Sequence, residues 1–393
     1  MKLLILLNDF PDVKNNYIGN IFVKEQVRSI SKHVEQVNVL VPIPFGMGLK
    51  RKTCYSDYSI YGNVDVRFIR YFNPLFPITF SRFRKQWILA EFHAIDRFIQ
   101  RENLVFDLIH AHYSWPSGAL AVELKRKYKV PVVITEHSHI TLYPRLLKKD
   151  PLLSETFTNA DAIIRVNKKD LYMFKRTVPS GNFIYIPNGY SPERIKNFPK
   201  DVARNSLHLP LNSKVLINVA RLSPVKGQRH LIQAMSIIAK ERNDVICYIG
   251  GSGPLKSDLE KQTEALDLQD KVKLVGFIPD ADLGLWLSAA DFFVLPSLSE
   301  GNPTVMFEAL GAGLPFVGTR VGGVPVVIAS EDYGLLVEPG DPKDLADKIR
   351  MALGKEWDRE KIREYAKQFT WENIAKLLLD VYQSVLSKEK TSL

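Results

Sequence analysis

Four charged side chains in the second half of the chain could act together on one ligand. Arg221 and Lys226 share a loop at the end of a predicted strand, where an arginine fork and a lysine point charge can both turn onto one diphosphate. Glu300 and Glu308 follow a later strand, and their carboxylates can accept hydrogen bonds from sugar hydroxyls. The residue types therefore predict a ligand with a phosphate part and a polyol part, such as a nucleotide-sugar.

The elements around the two glutamates would form an anion site. Phe292–Leu295 has the length and apolar character of a buried strand, and Pro296–Pro303 is rich in turn formers. A helix is predicted over Thr304–Leu310, with Pro303 suited to its start. The free amides and the positive dipole end of such a helix attract anions, and Thr304 shares a helix face with Glu308.

Short apolar strands alternate with helical patterns along the whole chain, which predicts an α/β fold with parallel sheets. Ligands of such sheets collect beyond the carboxyl ends of the strands. The first-half strands are predicted at Leu3–Leu7, Val37–Val41, Val64–Ile69, Leu108–His112, Val132–Thr135, Ala162–Val166 and Phe183–Ile186. The first-half helices are predicted at Ile21–Lys32, Arg82–Gln100, Ser117–Lys129 and Lys168–Arg176.

The run from Val294 to Gly313, V-L-P-S-L-S-E-G-N-P-T-V-M-F-E-A-L-G-A-G, resembles the signature of the retaining GT-B glycosyltransferases of family 4, also called glycosyl transferases group 1. The resemblance implies that Glu308 holds the ribose of a nucleotide donor and that Glu300 faces the donor sugar. It also implies that the amides near Thr304 and Val305 touch the diphosphate. Asn302, in the loop between the two glutamates, joins this substrate-binding group.

Further segments match the same family. Arg221 followed by Lys226-Gly227 matches its diphosphate-binding pattern, which would neutralise the departing nucleoside diphosphate. The resemblance implies that the segment of Gly276 and Phe277 holds the nucleobase. Gly251 lies in a glycine cluster, Gly250-Gly-Ser-Gly253, that could cradle phosphate but lacks the lysine of a P-loop.

In the first half, two residues are carried over from the family. His137, in Thr135-Glu-His137, corresponds to a histidine beside the donor sugar, and Gly19 is what remains of a glycine-rich loop before the first helix. Glu136 and His139 are interpreted as bystanders. A structural histidine that hydrogen-bonds a loop remains the alternative for His137.

The resemblance implies two doubly wound Rossmann-like domains that face each other across a cleft. We predict an acceptor-binding domain over residues 1–195 and a nucleotide-sugar-binding domain over residues 196–370, with the final helix, near residues 371–390, packed back on the first. Ser191–Ser213 is interpreted as the linker. Transfer would retain the anomeric configuration, as in a hexosyltransferase, and no covalent nucleophile is evident.

Metal ions and other cofactors are not predicted. His110 and His112 share a strand face, but no third ligand is evident near them. Asp280 and Asp282 spell a D-x-D motif at a helix start, where N-capping is the favoured interpretation. The two cysteines, Cys54 and Cys247, do not suggest a disulfide framework, and a cytoplasmic location is expected.

Charge is placed unevenly along the chain. Residues 1–190 hold 27 Lys and Arg against 16 Asp and Glu, whereas the rest of the chain is nearly neutral. A basic and aromatic stretch over Phe76–Phe98 includes Phe80, Arg82, Arg84, Lys85 and Trp87. Packing in the core and peripheral contact with an anionic membrane are both open for this stretch. A nucleic-acid partner is not predicted, because no groove or known binding module accompanies the charge.

The acceptor would then be a glycan or a lipid-linked precursor in cell-surface polysaccharide assembly. Three alternatives stay open. One is a GT-B epimerase or a phosphorylase, although no lysine for pyridoxal phosphate can be assigned. The second is a nucleotide-sugar-binding protein without transfer activity, and the third is a non-enzymatic module that binds anionic surfaces. Four intact charged site residues favour the enzyme.

Overall fold

The computed structural model describes residues 1–14, 19–45, 55–73, 83–138 and 142–391. The chain divides into two compact units, one made of Met1–Pro187 with Trp371–Leu393 and the other of Asn188–Thr370. Each unit is built around its own parallel sheet.

Eight strands form the sheet of the first unit in the part of the chain that the structure describes. They are β1 (Lys2–Leu6), β2 (Gln36–Pro44), β3 (Tyr58–Ile60), β4 (Val64–Tyr71), β5 (Leu108–His112), β6 (Val132–Glu136), β7 (Ala162–Arg165) and β8 (Phe183–Tyr185). The order is β3-β4-β2-β1-β5-β6-β7-β8, and only the β3–β4 pairing is antiparallel. β1 and β5 read as continuous buried runs because both faces of a parallel sheet are covered.

Helices cover this sheet. They are α1 (Ile21–Ser31), α2 (Arg84–Arg101), α3 (Ala119–Tyr128), α4 (Tyr143–Leu147), α5 (Pro151–Asn159) and α6 (Leu171–Thr177). The strand order reverses between β1 and β5, so the loops that follow these two strands leave a crevice at the carboxyl end of the sheet.

The second unit repeats this architecture with six parallel strands. Its elements are α7 (Lys200–Ser206), β9 (Lys214–Val219), α8 (Gln228–Ile238), β10 (Val245–Gly250), α9 (Lys256–Ala265), β11 (Val272–Gly276), α10 (Leu283–Ala289), β12 (Phe292–Leu295), α11 (Thr304–Gly311), β13 (Phe316–Thr319), α12 (Val324–Val327), β14 (Gly334–Val337), α13 (Pro342–Gly354) and α14 (Arg359–Ala366). The order is β11-β10-β9-β12-β13-β14, so the reversal lies between β9 and β12. The loops after those two strands hold Arg221, Lys226 and Glu300, and Glu308 lies in α11, the helix that follows the second loop.

The last helix, α15 (Trp371–Thr391), belongs to the first unit. Its apolar stripe packs into the core formed with α1, where Trp371 and Tyr382 are among the largest fully buried side chains. An ion pair between Lys32 and Glu372 lies beside this contact, at 3.1 Å. Burial of this apolar stripe, with its two aromatic rings, holds the end of the chain on the first unit.

The structure divides the chain after Pro187, earlier than the predicted boundary near residue 195. The reason is that Asn188 and Tyr190 are bonded within the second unit. The Asn188 amide N–H donates to Asn302 Oδ1 at 2.9 Å, and the Tyr190 amide N–H donates to the carbonyl of Phe369 at 3.0 Å. The segment predicted as a linker is also ordered, since it contains α7.

Most predicted elements are present within one or two residues of their predicted limits, and the misses are short. In the first unit, β3, α4 and α5 were not predicted, and the predicted helix at Lys168–Arg176 begins as a 3-10 turn over Lys168–Asp170. These three elements have nine residues or fewer, so that local sequence alone does not specify them.

Candidate functional site

The two loops at the reversal of the second sheet are packed tightly against each other. The amide N–H of Leu298, in the β12–α11 loop, donates to the carbonyl of Val225 at 2.8 Å. Gly227 has φ +67°, and a Cβ on it would lie 2.0 Å from the carbonyl oxygen of Pro296. Only glycine permits both that backbone angle and that approach, so it fixes the preceding lysine against the other loop.

Lys226 and Glu300 form an ion pair across these loops. Lys226 Nζ lies 2.7 Å from Glu300 Oε1, and the Ser297 hydroxyl donates to the same oxygen at 2.6 Å. The Glu300 side chain is buried, while Lys226 is partly exposed. Among the described residues, Oε2 of Glu300 has no hydrogen-bond partner. The pair therefore keeps an acceptor oxygen and two further ammonium protons for a ligand.

Arg221 lies on the exposed part of the same loop, just beyond β9. Its carbonyl accepts a hydrogen bond from the side-chain amide of Gln228 at 3.1 Å, which holds the backbone. Within the described ranges its guanidinium makes no hydrogen bond or ion pair. Arg221 and Lys226 thus lie on one loop, with donors that the protein itself does not use.

Helix α11 starts four residues after Glu300, the partner of Lys226. The helix begins at Thr304, its N-cap is Pro303, and no side chain caps it. The first amides of an α-helix have no partner inside the helix, so those of Thr304 and Val305, both half-buried, can bind an anion.

Asn302 has a structural role that the sequence did not show. Its Oδ1 accepts from the Asn188 amide N–H, and its carbonyl accepts from Asn188 Nδ2 at 2.7 Å. Its own Nδ2 is buried and has no partner among the described residues. The residue fastens the segment after Pro187 to the loop before α11, which leaves little of its side chain for a substrate.

Glu308 is held by an arginine that sequence reasoning missed. Arg194 Nη1 donates to Glu308 Oε1 at 2.6 Å, and its Nε donates to Asp280 at 2.9 Å. Arg194 lies in the polar stretch interpreted as linker, and its only signal in the sequence is that it follows shortly after the turn formers Pro187-Asn188-Gly189. The N-capping interpretation of the D-x-D motif was wrong, because Asp280 pairs with Arg194 and Asp282 makes no side-chain cap.

The remaining predicted residues of the second unit lie at the carboxyl ends of β10 and β11. Gly251 has φ +142°, and a Cβ on it would lie 1.9 Å from the Ala220 carbonyl, so it allows the loops after β9 and β10 to touch. Gly276 has open space where a Cβ would point, and the Phe277 ring beside it is 48% exposed. An exposed aromatic face next to open backbone suits the stacking of a flat ring.

His137 follows β6 in the first unit and belongs to a cluster of three histidines. Its Nε2 lies 3.0 Å from His112 Nδ1, and the two rings stack at 5.3 Å. His110 contacts the hydroxyl of Thr135 at 2.8 Å and that of Tyr382 at 2.6 Å. Nδ1 of His137 and Nε2 of His112 are buried without a partner among the described residues.

Burial keeps these imidazoles neutral. It lowers the pKa of His110 and of His137 to about 3, and it lowers that of His112 well below its ordinary value. A neutral imidazole has one donor and one acceptor nitrogen, so the His112–His137 contact fixes complementary tautomers in the two rings. His137 can therefore offer a hydrogen bond but no charge.

The neighbours of these histidines are tied to the loop after β1. Gly19 precedes Asn20, whose side-chain oxygen accepts from the Tyr113 hydroxyl at 2.9 Å and whose amide donates to the Asp9 carbonyl at 3.0 Å. Glu136, interpreted as a bystander, is a buried anchor. Its carboxylate accepts from the amide of Ser114 at 2.7 Å and from Ser138. His139 lies outside the described residues.

Part of the basic and aromatic stretch faces the interior of the first unit. Trp87 donates its indole N–H to buried Glu91 at 2.6 Å, and Arg84 pairs with Asp150 at 2.7 Å and covers the ring of Trp115. Phe80 and Arg82, like Cys54, lie outside the described residues. Of the helices in the described ranges, none combines the length and the apolar composition needed to cross a membrane.

Comparison with known families assigns most of the chain. The model for "Glycosyl transferases group 1" matches residues 199–369, and the model for "Glycosyltransferase Family 4" matches residues 52–194. D-inositol 3-phosphate glycosyltransferase from Corynebacterium aurimucosum is 30% identical over 312 residues, which cover 72% of this chain and 73% of that protein. The chain belongs to the group 1, family 4 glycosyltransferases. It is a transferase enzyme, as the resemblance of the Val294–Gly313 run implied.

Other relatives agree with this assignment. The putative teichuronic acid biosynthesis glycosyltransferase TuaC of Bacillus subtilis is 28% identical over 361 residues, 89% of this chain and 88% of that protein. The structure of HepE from Anabaena in complex with UDP superimposes with a TM-score of 0.73 at 20% identity, covering 98% of this chain and all of HepE. The glycosyltransferase has the GT-B fold, as expected from its two parallel-sheet units.

Proposed function

We propose that this glycosyltransferase moves a sugar from a nucleotide-sugar, UDP- or GDP-linked, to a glycan or lipid-linked acceptor with retention of the anomeric configuration. One observation carries the proposal. Two cations with unused donors, the buried Glu300 carboxylate and the open start of α11 all follow the two strands at the reversal of the second sheet, and Lys226 is paired with Glu300. The UDP bound to HepE supports the choice of a nucleoside diphosphate.

In the proposed site, Arg221 and Lys226 bind the diphosphate together with the amides of Thr304 and Val305. Charge accumulates on the diphosphate as the sugar leaves, so preorganised cations and amides lower the barrier. Lys226 can stay bonded to Glu300 while it binds phosphate, because an ammonium has three protons. Attack on the same face, with the acceptor proton passing to the leaving phosphate oxygen, needs no protein nucleophile.

Carboxylates recognise the hydroxyl groups of the donor. Glu300 accepts from the transferred sugar through Oε2, and Glu308 accepts from the ribose. The base lies along Gly276 and the Phe277 ring, and Gly251 keeps the loop beside it close to the β9 loop. For His137 we retain the proposal of a hydrogen bond to the sugar, supported by its neutral ring and its unpartnered nitrogen. Gly19 and Asn302 act by shaping their loops.

For the acceptor we propose a lipid-linked or cell-surface glycan precursor. TuaC, whose name places it in teichuronic acid biosynthesis, supports this class, and so does the basic first half of the chain. Peripheral contact of the cytoplasmic enzyme with an anionic membrane belongs to the same proposal. Because Arg84 and Trp87 are engaged inside the first unit, other basic residues would have to make that contact.

A donor screen tests the proposal. UDP-, GDP- and ADP-sugars are offered to the purified protein in EDTA, and release of nucleoside diphosphate is followed beside an Arg221→Ala/Lys226→Ala double variant. We expect one donor class to be hydrolysed slowly by the unmodified protein and not by the double variant.

The matched control removes two exposed cations of the same unit, Arg229→Ala/Lys256→Ala, whose ion pairs with Asp258 and Glu260 are at the surface. This control should behave as the unmodified protein. Failure to bind any nucleotide-sugar, with tight binding to anionic liposomes, would contradict the enzyme mechanism and favour a surface-binding module.

A further inference from the structure

Arg194 joins two segments of the proposed donor site. It lies shortly after Pro187, in the segment that enters the second unit, and its side chain is 13% exposed. On one edge of the guanidinium, Nε and Nη2 donate to the carboxylate of Asp280. On the other edge, Nη1 donates to Glu308 Oε1 at 2.6 Å. Asp280 follows the Gly276–Phe277 segment, and Glu308 lies in α11.

The fork shape of arginine suits this position. Its two edges point in different directions from one rigid plane, so that the grip on Asp280 fixes the direction of the bond to Glu308. A lysine has a single nitrogen on a flexible chain and cannot make both contacts in a fixed plane. The Glu308 side chain is 7% exposed, so this cation also compensates a buried negative charge.

The backbone around Arg194 is fixed independently of its side chain. The Arg194 amide N–H donates to the carbonyl of Ser191 at 3.1 Å, and Tyr190 and Ile195 pack where a side chain on Gly311 would lie. Asn188 is bonded to Asn302 on the other side. The guanidinium is thus carried by a segment whose backbone is held by hydrogen bonds and packing.

We propose that Arg194 is a positioning residue that orients Glu308 toward the ribose and thereby makes the enzyme select ribonucleotide over 2′-deoxyribonucleotide donors. This inference rests on the proposed function, because it assumes that Glu308 binds the ribose hydroxyls. A carboxylate whose rotation is blocked gives a strong, directed hydrogen bond, whereas one that turns freely must be ordered on binding. Arg194 itself touches no substrate in this mechanism.

The test measures selectivity rather than activity alone. Isothermal titration of the full chain with UDP and GDP, each beside its 2′-deoxyribose analogue, gives a ribose preference as a ratio of dissociation constants. We expect the unmodified protein to prefer the ribonucleotide by about tenfold, as a hydrogen bond to a charged group allows. Arg194→Met and Arg194→Lys should reduce the ratio to below about threefold, and Glu308→Gln should do the same.

Asp280→Asn weakens the hydrogen bonds that hold Arg194 without removing the cation. The ribose preference of this variant should lie between those of the unmodified protein and of the Arg194 variants. It also keeps the inference testable if Arg194→Met fails to fold. Arg229→Met, at an exposed arginine of the same unit, is the matched control and should keep the full ratio.

An unchanged ratio in the Arg194 variants, with all nucleotides weakened equally, would overturn the positioning role and leave the proposed function intact. An unchanged ratio in Glu308→Gln would overturn the ribose contact and this inference with it, while a positive donor screen still supports transfer. If the unmodified protein bound no nucleotide, both proposals would fall.

Discussion

The two parallel sheets of this glycosyltransferase present different chemistry at their carboxyl ends. In the second unit, charged side chains pair near the strand reversal: Lys226 pairs with Glu300 across the two loops there, and Arg194, in the segment after Pro187, pairs with Glu308 in α11. In the first unit, beside β5 and β6, lie neutral imidazoles in contact with aromatic rings. A site for a charged diphosphate needs the former, and a site for uncharged hydroxyl groups can be built from the latter.

The contrast shows how the same fold is specialised by the residues beyond its strands. Ion pairs with spare protons or spare oxygens can take a ligand without being broken, as Lys226 and Glu300 can. The histidines have fixed tautomers, which depend on burial and on their neighbours. Three experiments bear on this contrast, and the largest effect is expected first.

The sharpest test compares one residue from each unit. Lys226→Ala removes a cation from the proposed diphosphate site and should lower kcat by about 100- to 1000-fold. His137→Ala removes one neutral hydrogen bond and should cost only about tenfold. Steady-state kinetics with the donor found in the screen measures both. Equal losses in the two variants would contradict the division between charged and neutral roles.

The histidine cluster should make the stability of the first unit fall at acidic pH. An unfolded imidazole has a pKa near 6.5, whereas burial holds the pKa of His110 at about 3. Below about pH 6.5 the unfolded chain therefore binds protons that the folded chain does not, and the free energy of unfolding falls as the pH drops toward 3. The slope is about 1.4 kcal/mol per pH unit for each such histidine.

Urea unfolding followed between about pH 7 and about pH 5 measures this slope. His110→Gln, which can still bond Thr135 and Tyr382, is the variant to compare, and its slope should be smaller. A variant with the slope of the unmodified protein would show that His110 does not set the acid sensitivity.

Glu91 should give the free energy of unfolding the opposite dependence on pH. Burial raises the pKa of this carboxyl to about 7, although Trp87 and Tyr71 donate hydrogen bonds to it. The unfolded chain ionises from about pH 4.5, so the free energy of unfolding falls as the pH rises from there to about 7. Glu91→Gln, which mimics the neutral carboxyl, should remove up to about 3 kcal/mol of that loss.

Thermal unfolding of Glu91→Gln at about pH 8 and about pH 5 checks this expectation, since stabilisation should be seen only at the higher pH. Asp96→Asn, on the same helix but paired with Lys127 and bonded to the Tyr128 hydroxyl, is the comparison that should show no such gain. Stabilisation at both pH values would mean that charge on Glu91 is not the cause.

The sequence by itself determined the architecture and indicated the four charged residues of the proposed site. The strands could be predicted because burial on both faces of a parallel sheet requires continuous apolar runs. The helices could be predicted because each keeps an apolar stripe toward the sheet. The four charged residues of the proposed site were selected because they follow predicted strands and match the motifs of the family that the chain resembles. They are Arg221, Lys226, Glu300 and Glu308. The chain could not show which side chains meet, because residues far apart in sequence are brought together only by packing.

Only the tertiary structure decided which side chains contact each other. It paired Arg194 with Asp280 and Glu308, although Arg194 lies in what looked like a linker. It gave the Asn302 side chain to Asn188, and it moved the division of the chain to Pro187. It also stacked His112 on His137 and placed Tyr382, from the last helix, against His110. Such contacts depend on the register of neighbouring strands and on helix docking, which are properties of the folded chain.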